Sequence, residues 1–313
     1  AVEFGALLAM TQGLAQVLDV SGETASARPW VQLAAFLAPE GAIAGAVDAW
    51  PALPLPRDVW MTEPEPMAES REALRTALRV VAGETAGIRA AGAASAGPQS
   101  PQGVLAMTVA EAELGPLRAA LGLELPLRFG CGAAEGGVGV RNERPPVIGV
   151  GAVFAGFSAA ERRFRLALGA VMIGGGLALV TDPQGASLPE LLAALQHLAD
   201  ATCPLRLPGA QTIVRALAAR GFTGERLPPA LREALTLELS GWQQSRVSVT
   251  RLAQLLRRDS LRVALRLSGA LDGALRAIGR DARLSGPPDE PATLQVLASP
   301  DGQCVLRAAG LIA

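Results

Sequence analysis

Residues 158–181 read SAAERRFRLALGAVMIGGGLALVT, and this stretch decides the fold. Ser158 and Glu161 stand at the spacing of a capping box. In that motif the serine hydroxyl takes the third amide and the glutamate reaches back to the cap. From Leu166 to Thr181 no residue carries a charge. A helix that is apolar on every side is normally buried on every side. The stretch predicts a central helix over 159–180 with the rest of the chain packed around it. Its sixteen uncharged residues fall short of the roughly 20 that a membrane span requires. Three consecutive glycines, Gly174 to Gly176, also interrupt them. A buried core helix is therefore the expectation, and membrane association through 159–180 is the remote alternative.

Upstream of the helix the pattern is short and glycine-punctuated. Leu125–Gly130, Gly137–Arg141 and Pro146–Phe154 read as strands of a small sheet. Farther upstream, Val2–Val20, Trp30–Val47, Glu69–Ala82 and Thr108–Leu121 carry apolar residues at helical spacing. Ser21–Pro29 reads as a loop, and Trp50–Pro66, with five prolines, as extended chain. Ala90–Gly103 is rich in Pro, Gly and Ser and reads as a linker. It divides the chain into 1–103 and 104–313.

Downstream, Asp182 and Pro183 end the central helix. Ser187 with Glu190 forms a second capping box opening Leu188–Ala201. Gln211–Arg220, Pro229–Trp242, Ser248–Arg258, Ser260–Leu267 and Leu271–Ile278 read as further helices. Thr293–Ala298 and Gln303–Arg307 flank Ser-Pro-Asp-Gly, which predicts a C-terminal hairpin. The fold class expected is α+β, mostly helical, with a small sheet around a buried central helix.

Composition narrows the chemistry. Half of the 313 residues are hydrophobic, and the net charge is −1. No general attraction to nucleic acid or an anionic membrane follows from that balance. The sequence contains no lysine, which removes a Walker-type phosphate lysine, a Schiff-base lysine and a lysine-assisted serine nucleophile. His197 is the one histidine, so an HExxH zinc motif cannot form. Cys131, Cys203 and Cys304 are far apart and make no CxxC pair. Sparse, unpaired cysteines and the absence of a signal-peptide pattern predict a reducing, cytoplasmic setting.

Few side chains offer reactivity. His197, a turn before Asp200, could act as a general base with Cys203 nearby, which is the basis of an alternative reading as a hydrolase. A structural histidine is the plainer reading. Glu225, Glu233 and Glu238 read as carboxylates on a solvated helix face. Arg246, Arg251, Arg257, Arg258, Arg262 and Arg266 form a basic run over two helices. It lacks the aromatic interleaving of a nucleic-acid surface, so nucleic acid is not expected as a partner.

Two lines together resemble a family. Pro145-Pro146-Val147-Ile148-Gly149-Val150-Gly151 leads into Glu161-Arg162-Arg163-Phe164-Arg165-Leu166-Ala167-Leu168-Gly169. After Trp242 comes the run from Asp259 to Ile278, whose part from Gly269 onward matches best. These lines resemble the degenerate zincin metallopeptidase-like domains at the C-termini of large bacterial, myxobacterial tetratricopeptide-repeat proteins. The resemblance spans roughly Leu117 to Asp281. It implies that 104–313, the unit that includes the expected C-terminal hairpin, is a zincin-like α+β domain. An active member would carry His, Glu and His near Leu168, Gly169 and Met172. Its later glutamate ligand and companion aspartate would fall near Arg257 and Leu261. None of these five side chains can serve as a zinc ligand or a base. The resemblance thus implies no metal, no cofactor and no catalytic residue. It implies a pseudoenzyme that works as a scaffold with other protein subunits.

Overall fold

The computed structural model describes residues 2–38, 72–85, 100–130, 137–178, 187–244, 249–281 and 290–312. The chain is a mostly helical α+β protein with one small mixed sheet. Strands β1 (Leu127–Phe129), β2 (Val138–Arg141) and β3 (Val147–Val150) lie in the order β1-β3-β2. β3 runs parallel to β1, pairing Ile148 with Leu127, and antiparallel to β2, pairing Val150 with Val138. All four residues of β3 are buried, as expected of a central strand covered on both faces. The rest of the run read as a strand to Phe154 is a short 3-10 turn, Ala152–Gly156, which places Phe154 in the core.

Twelve α-helices accompany this sheet among the described residues, and those at Pro101–Leu121 and Ala159–Gly174 pack on it. The first four are α1 (Val2–Val20), α2 (Thr24–Leu37), α3 (Glu72–Thr85) and α4 (Pro101–Leu121). The central helix, α5, spans Ala159–Gly174. Then come α6 (Leu188–Ala199), α7 (Pro208–Ala218), α8 (Pro229–Gln244) and α9 (Val249–Ser268). Last are α10 (Leu271–Asp281), α11 (Glu290–Ala298) and α12 (Pro300–Ala308).

The expected burial of α5 is observed: no residue from Ala159 to Ala178 is exposed. It packs against α4, α9, α10, β2 and β3. The helix ends earlier than expected, in a Schellman motif. Leu177 N donates to Met172 O at 2.8 Å, and Gly176 N donates to Ile173 O at 3.0 Å. Gly176 adopts φ +74°. A β-carbon there would strike the backbone of Leu78 and Arg79 in α3, so glycine is required both by conformation and by space.

Several boundaries differ from the sequence expectation, each for a local reason. The C-terminal hairpin is absent: its two arms are helices α11 and α12. Ser-Pro-Asp-Gly is a helix start here. Ser299 Oγ accepts Gly302 N at 3.0 Å, Pro300 opens the first turn, and Asp301 lies at the positive end of the dipole. The two helices expected around Asp259 and Ser260 are one continuous α9. Ser260 Oγ bonds back to Leu256 O at 2.9 Å, and Asp259 is held by Arg75 and Arg262, so neither residue interrupts it. Helix α4 begins at Pro101 with Ser100 as its cap, which makes residues 100–103 a first turn. Most of the loop expected at 21–29 is the start of α2. The expected extended segment Trp50–Pro66 lies outside the described residues.

The apolar side chains form two cores. The first gathers Phe36, Leu114, Ile148, Phe154, Phe164, Leu166, Leu261, Leu275 and their neighbours around α5 and the sheet. The second is built from α3, α6, α7 and α8, with Leu74, Leu78, Leu191, Leu195 and Leu235 at its centre. Helix α9 serves both: Leu252 and Leu256 belong to the second core, Leu261 to Leu267 to the first.

Candidate functional site

The five positions that the resemblance sets against zinc ligands lie on two helices, Leu168, Gly169 and Met172 on α5 and Arg257 and Leu261 on α9. Gly169 is buried, and a β-carbon on it would sit 3.6 Å from Ile148 Cδ1 and from Val138 Cγ1. Leu168 is half-buried against the first core and Met172 half-buried against the second. Leu261 is buried. Arg257 is exposed on α9, and its Nε donates to Asp301 Oδ2 at 2.7 Å. These residues offer hydrocarbon, one thioether and one paired guanidinium, a donor set that a divalent cation does not choose. Among the described residues no three of His, Cys, Asp and Glu converge at metal-binding distance.

His197 and Cys203 are neighbours, in an arrangement unlike a catalytic dyad. His197 lies in the last turn of α6, where Nδ1 is 2.8 Å from the main-chain carbonyl of Cys203. A carbonyl only accepts, so Nδ1 carries the hydrogen. The Cys203 thiol points instead to Asp200 Oδ2 at 3.7 Å. Desolvation, and then the Asp200 carboxylate, push the thiol above its ordinary range. Asp200 itself is held low by hydrogen bonds from the Thr202 hydroxyl and amide. A nucleophilic cysteine needs a lowered pKa beside a cation or base, and here the neighbouring group is an anion. Cys304 is buried, its thiol 3.6 Å from Arg258 O. Cys131 lies outside the described residues.

The densest chemistry is a buried charge cluster that the capping-box reading concealed. Ser158 caps α5 as expected, its Oγ accepting Glu161 N at 3.1 Å. Glu161 does not reach back. Its side chain is fully buried, receiving Arg165 Nε at 3.0 Å and Arg280 Nε at 3.2 Å. Arg165 also binds Asp281 Oδ1 at 3.0 Å and Ala277 O at 3.3 Å. Both guanidiniums stack over Phe157, at 5.0 and 5.2 Å from the ring centroid. Asp272, on α10, is raised above its ordinary value by desolvation, with Glu161 adding a smaller repulsion. The i,i+4 pair Glu161–Arg165 is the signal in the sequence that could have located this cluster.

The solvated-face reading holds for exposed Glu225 and Glu233 and fails for Glu238. The Glu238 carboxylate accepts the amides of Ala73 and Leu74 at 3.1 and 2.9 Å, which caps α3 from a neighbouring helix. The basic run is also divided. Arg251, Arg257 and Arg266 are exposed, whereas Arg258 and Arg262 are half-buried, and Arg262 lies 3.6 Å from Asp259. Asp259 forms a buried ion pair with Arg75 at the boundary of the two cores. Arg246 lies outside the described residues.

No helix among the described residues is long and apolar enough to cross a membrane. Comparison with protein-family models, curated proteins and solved structures gave no match to this chain.

Proposed function

We propose that this chain is a non-catalytic pseudo-metallopeptidase, a zincin-like scaffold that binds other protein subunits within a larger cytoplasmic assembly. The observation that carries the reading is what stands where an active relative would hold zinc. Leu168, Gly169, Met172 and Leu261 are hydrocarbon-packed, and Arg257 is engaged with Asp301. A cation placed there would meet no adequate lone pair and a nearby positive charge. A second support is that two buried carboxylates are engaged by structural partners. Glu161 serves Arg165 and Arg280, and Asp259 serves Arg75.

Native mass spectrometry of the purified chain with added zinc tests the proposal. The expected result is apoprotein mass at every zinc concentration, with protein subunits retained when the chain is isolated gently. Stoichiometric, chelator-resistant zinc would overturn it.

A further inference from the structure

Helix α3 sits apart from its neighbours along the chain. Helix α2 before it and α4 after it pack in the first core, whereas Leu74, Ala77, Leu78, Val81 and Ala82 of α3 are buried in the second. The chain therefore crosses from one core to the other through residues 39–71 and returns through residues 86–99. A connection of the shorter length reaches roughly 45 Å when fully extended.

Both ends and the middle of α3 are held by side chains from elsewhere in the fold. At its start the Glu238 carboxylate of α8 takes the amides of Ala73 and Leu74. At its end Arg220 Nη1 donates to Glu84 O at 2.5 Å, and Asn142 Nδ2 donates to Thr85 Oγ1 at 3.1 Å. On the buried face Arg75 pairs with Asp259 of α9. Gly176, bare of a β-carbon, lets the backbone of Leu78 and Arg79 come close. With 14 residues, α3 has a length at which an isolated helix is marginal in water. These contacts make a socket that reads a helix by its apolar stripe, its two ends and one arginine.

We infer that α3 is an exchangeable element: the socket takes the α3 of a second copy, and reciprocal exchange makes a two-fold dimer. The contacts named above would be the same whichever copy supplied the helix. Exchange alters the path of the two connections and requires no new interface. Within one chain the connections keep its own helix at high local concentration, so the closed monomer prevails in dilute solution. Exchange competes when chains fold together at high concentration. The inference stands apart from the zincin-like reading, which bound zinc would overturn without touching it.

Two full-length chains test this, one with Arg75→Asp and one with Asp259→Arg. Each alone sets two like charges together in the interior, whereas a reciprocal dimer of the two pairs opposite charges in both sockets. They are mixed in urea and refolded together, and native mass spectrometry reads the product. A heterodimer exceeding either homodimer on the order of a hundredfold is expected, because a mismatched buried pair is costly. A chain carrying both substitutions should stay monomeric in dilute solution. The wild-type chain supplies an arm free of folding defects: refolding at high concentration should trap a dimer that dilute refolding does not. A folded mixture without heterodimer, or a wild type that is monomeric at both concentrations, would overturn the inference. Homodimers of the single variants as abundant as the heterodimer would place self-association on another surface and overturn it equally.

Discussion

Gly273, in the first turn of α10, lies flat against the backbone of Ala160 in the first turn of α5. A β-carbon on Gly273 would overlap the Ala160 carbonyl and press on the Glu161 amide. The two helices approach this closely because nothing projects between them, and the approach brings α10 against the Glu161 cluster. Gly273→Ala is expected to destabilise the protein by about 1–3 kcal/mol through overpacking, measured by urea denaturation. A change within about 0.5 kcal/mol would show that the helices can part without cost.

Glu161→Gln removes the anion that Arg165 and Arg280 share. Arg165 is buried, and a buried cation stripped of its partner is costly. A loss of about 3 kcal/mol is expected. Glu161→Leu combined with Arg165→Met should be less damaging than the Glu161 change alone, because the charges left behind, Arg280 and Asp281, are exposed. A thermal melt of the three proteins side by side checks the order.

Asp272 gives the acid limb of stability a definite sign. Its native pKa is raised above the ordinary aspartate value of 3.8, so the folded state holds this proton more tightly than the unfolded chain. Its contribution is most favourable below 3.8 and is lost as pH rises through the native value. Asp272→Asn should therefore raise stability at pH 7 relative to wild type, and the gain should vanish toward strong acid. Denaturation midpoints of both proteins across the acid range measure this. A gain that is the same at every pH would mean that the carboxylate is not the cause.

Glu238 caps α3 from outside the helix, so its removal should act locally. Glu238→Ala is expected to cost about 1 kcal/mol and to speed hydrogen exchange at Ala73 and Leu74 before it does so elsewhere. Unchanged exchange there would rule out the cap.

Cys203 should be a poor nucleophile. Alkylation with iodoacetamide at neutral pH, followed at this residue by peptide mass spectrometry, should be slower than for a free thiol of ordinary pKa. Asp200→Asn should accelerate it by removing the adjacent anion. Rapid alkylation of the native chain would reopen the hydrolase reading.

The sequence disclosed the features that depend on neighbours along the chain. An uncharged run from Leu166 onward was enough to place α5 at the centre, because burial on all sides follows from composition alone. Strands and most helices were legible for the same reason. Ser-Pro-Asp-Gly misled because the same four residues suit a turn and a helix start, and only the packing of Val296 and Val305 into the first core decides between them. Glu161 was misassigned because the local capping rule competes with partners 119 residues away, such as Arg280. Glu238 and Asp259 were invisible as structural groups, since their partners, Leu74 and Arg75, lie 164 and 184 residues distant. At the candidate site, the apolar character of Leu168, Gly169, Met172 and Leu261 was readable from residue identity alone. The orientation of His197 toward a carbonyl required three-dimensional placement.

Helix α9 enters the second core with Leu252 and Leu256 and leaves through the first with Leu261 to Leu267. Melting either core would uncover its half of α9, and with it the rod on which the other core packs. Heat should therefore find no half-folded refuge. A single calorimetric transition, with equal calorimetric and van't Hoff enthalpies, is the signature that this shared rod would leave.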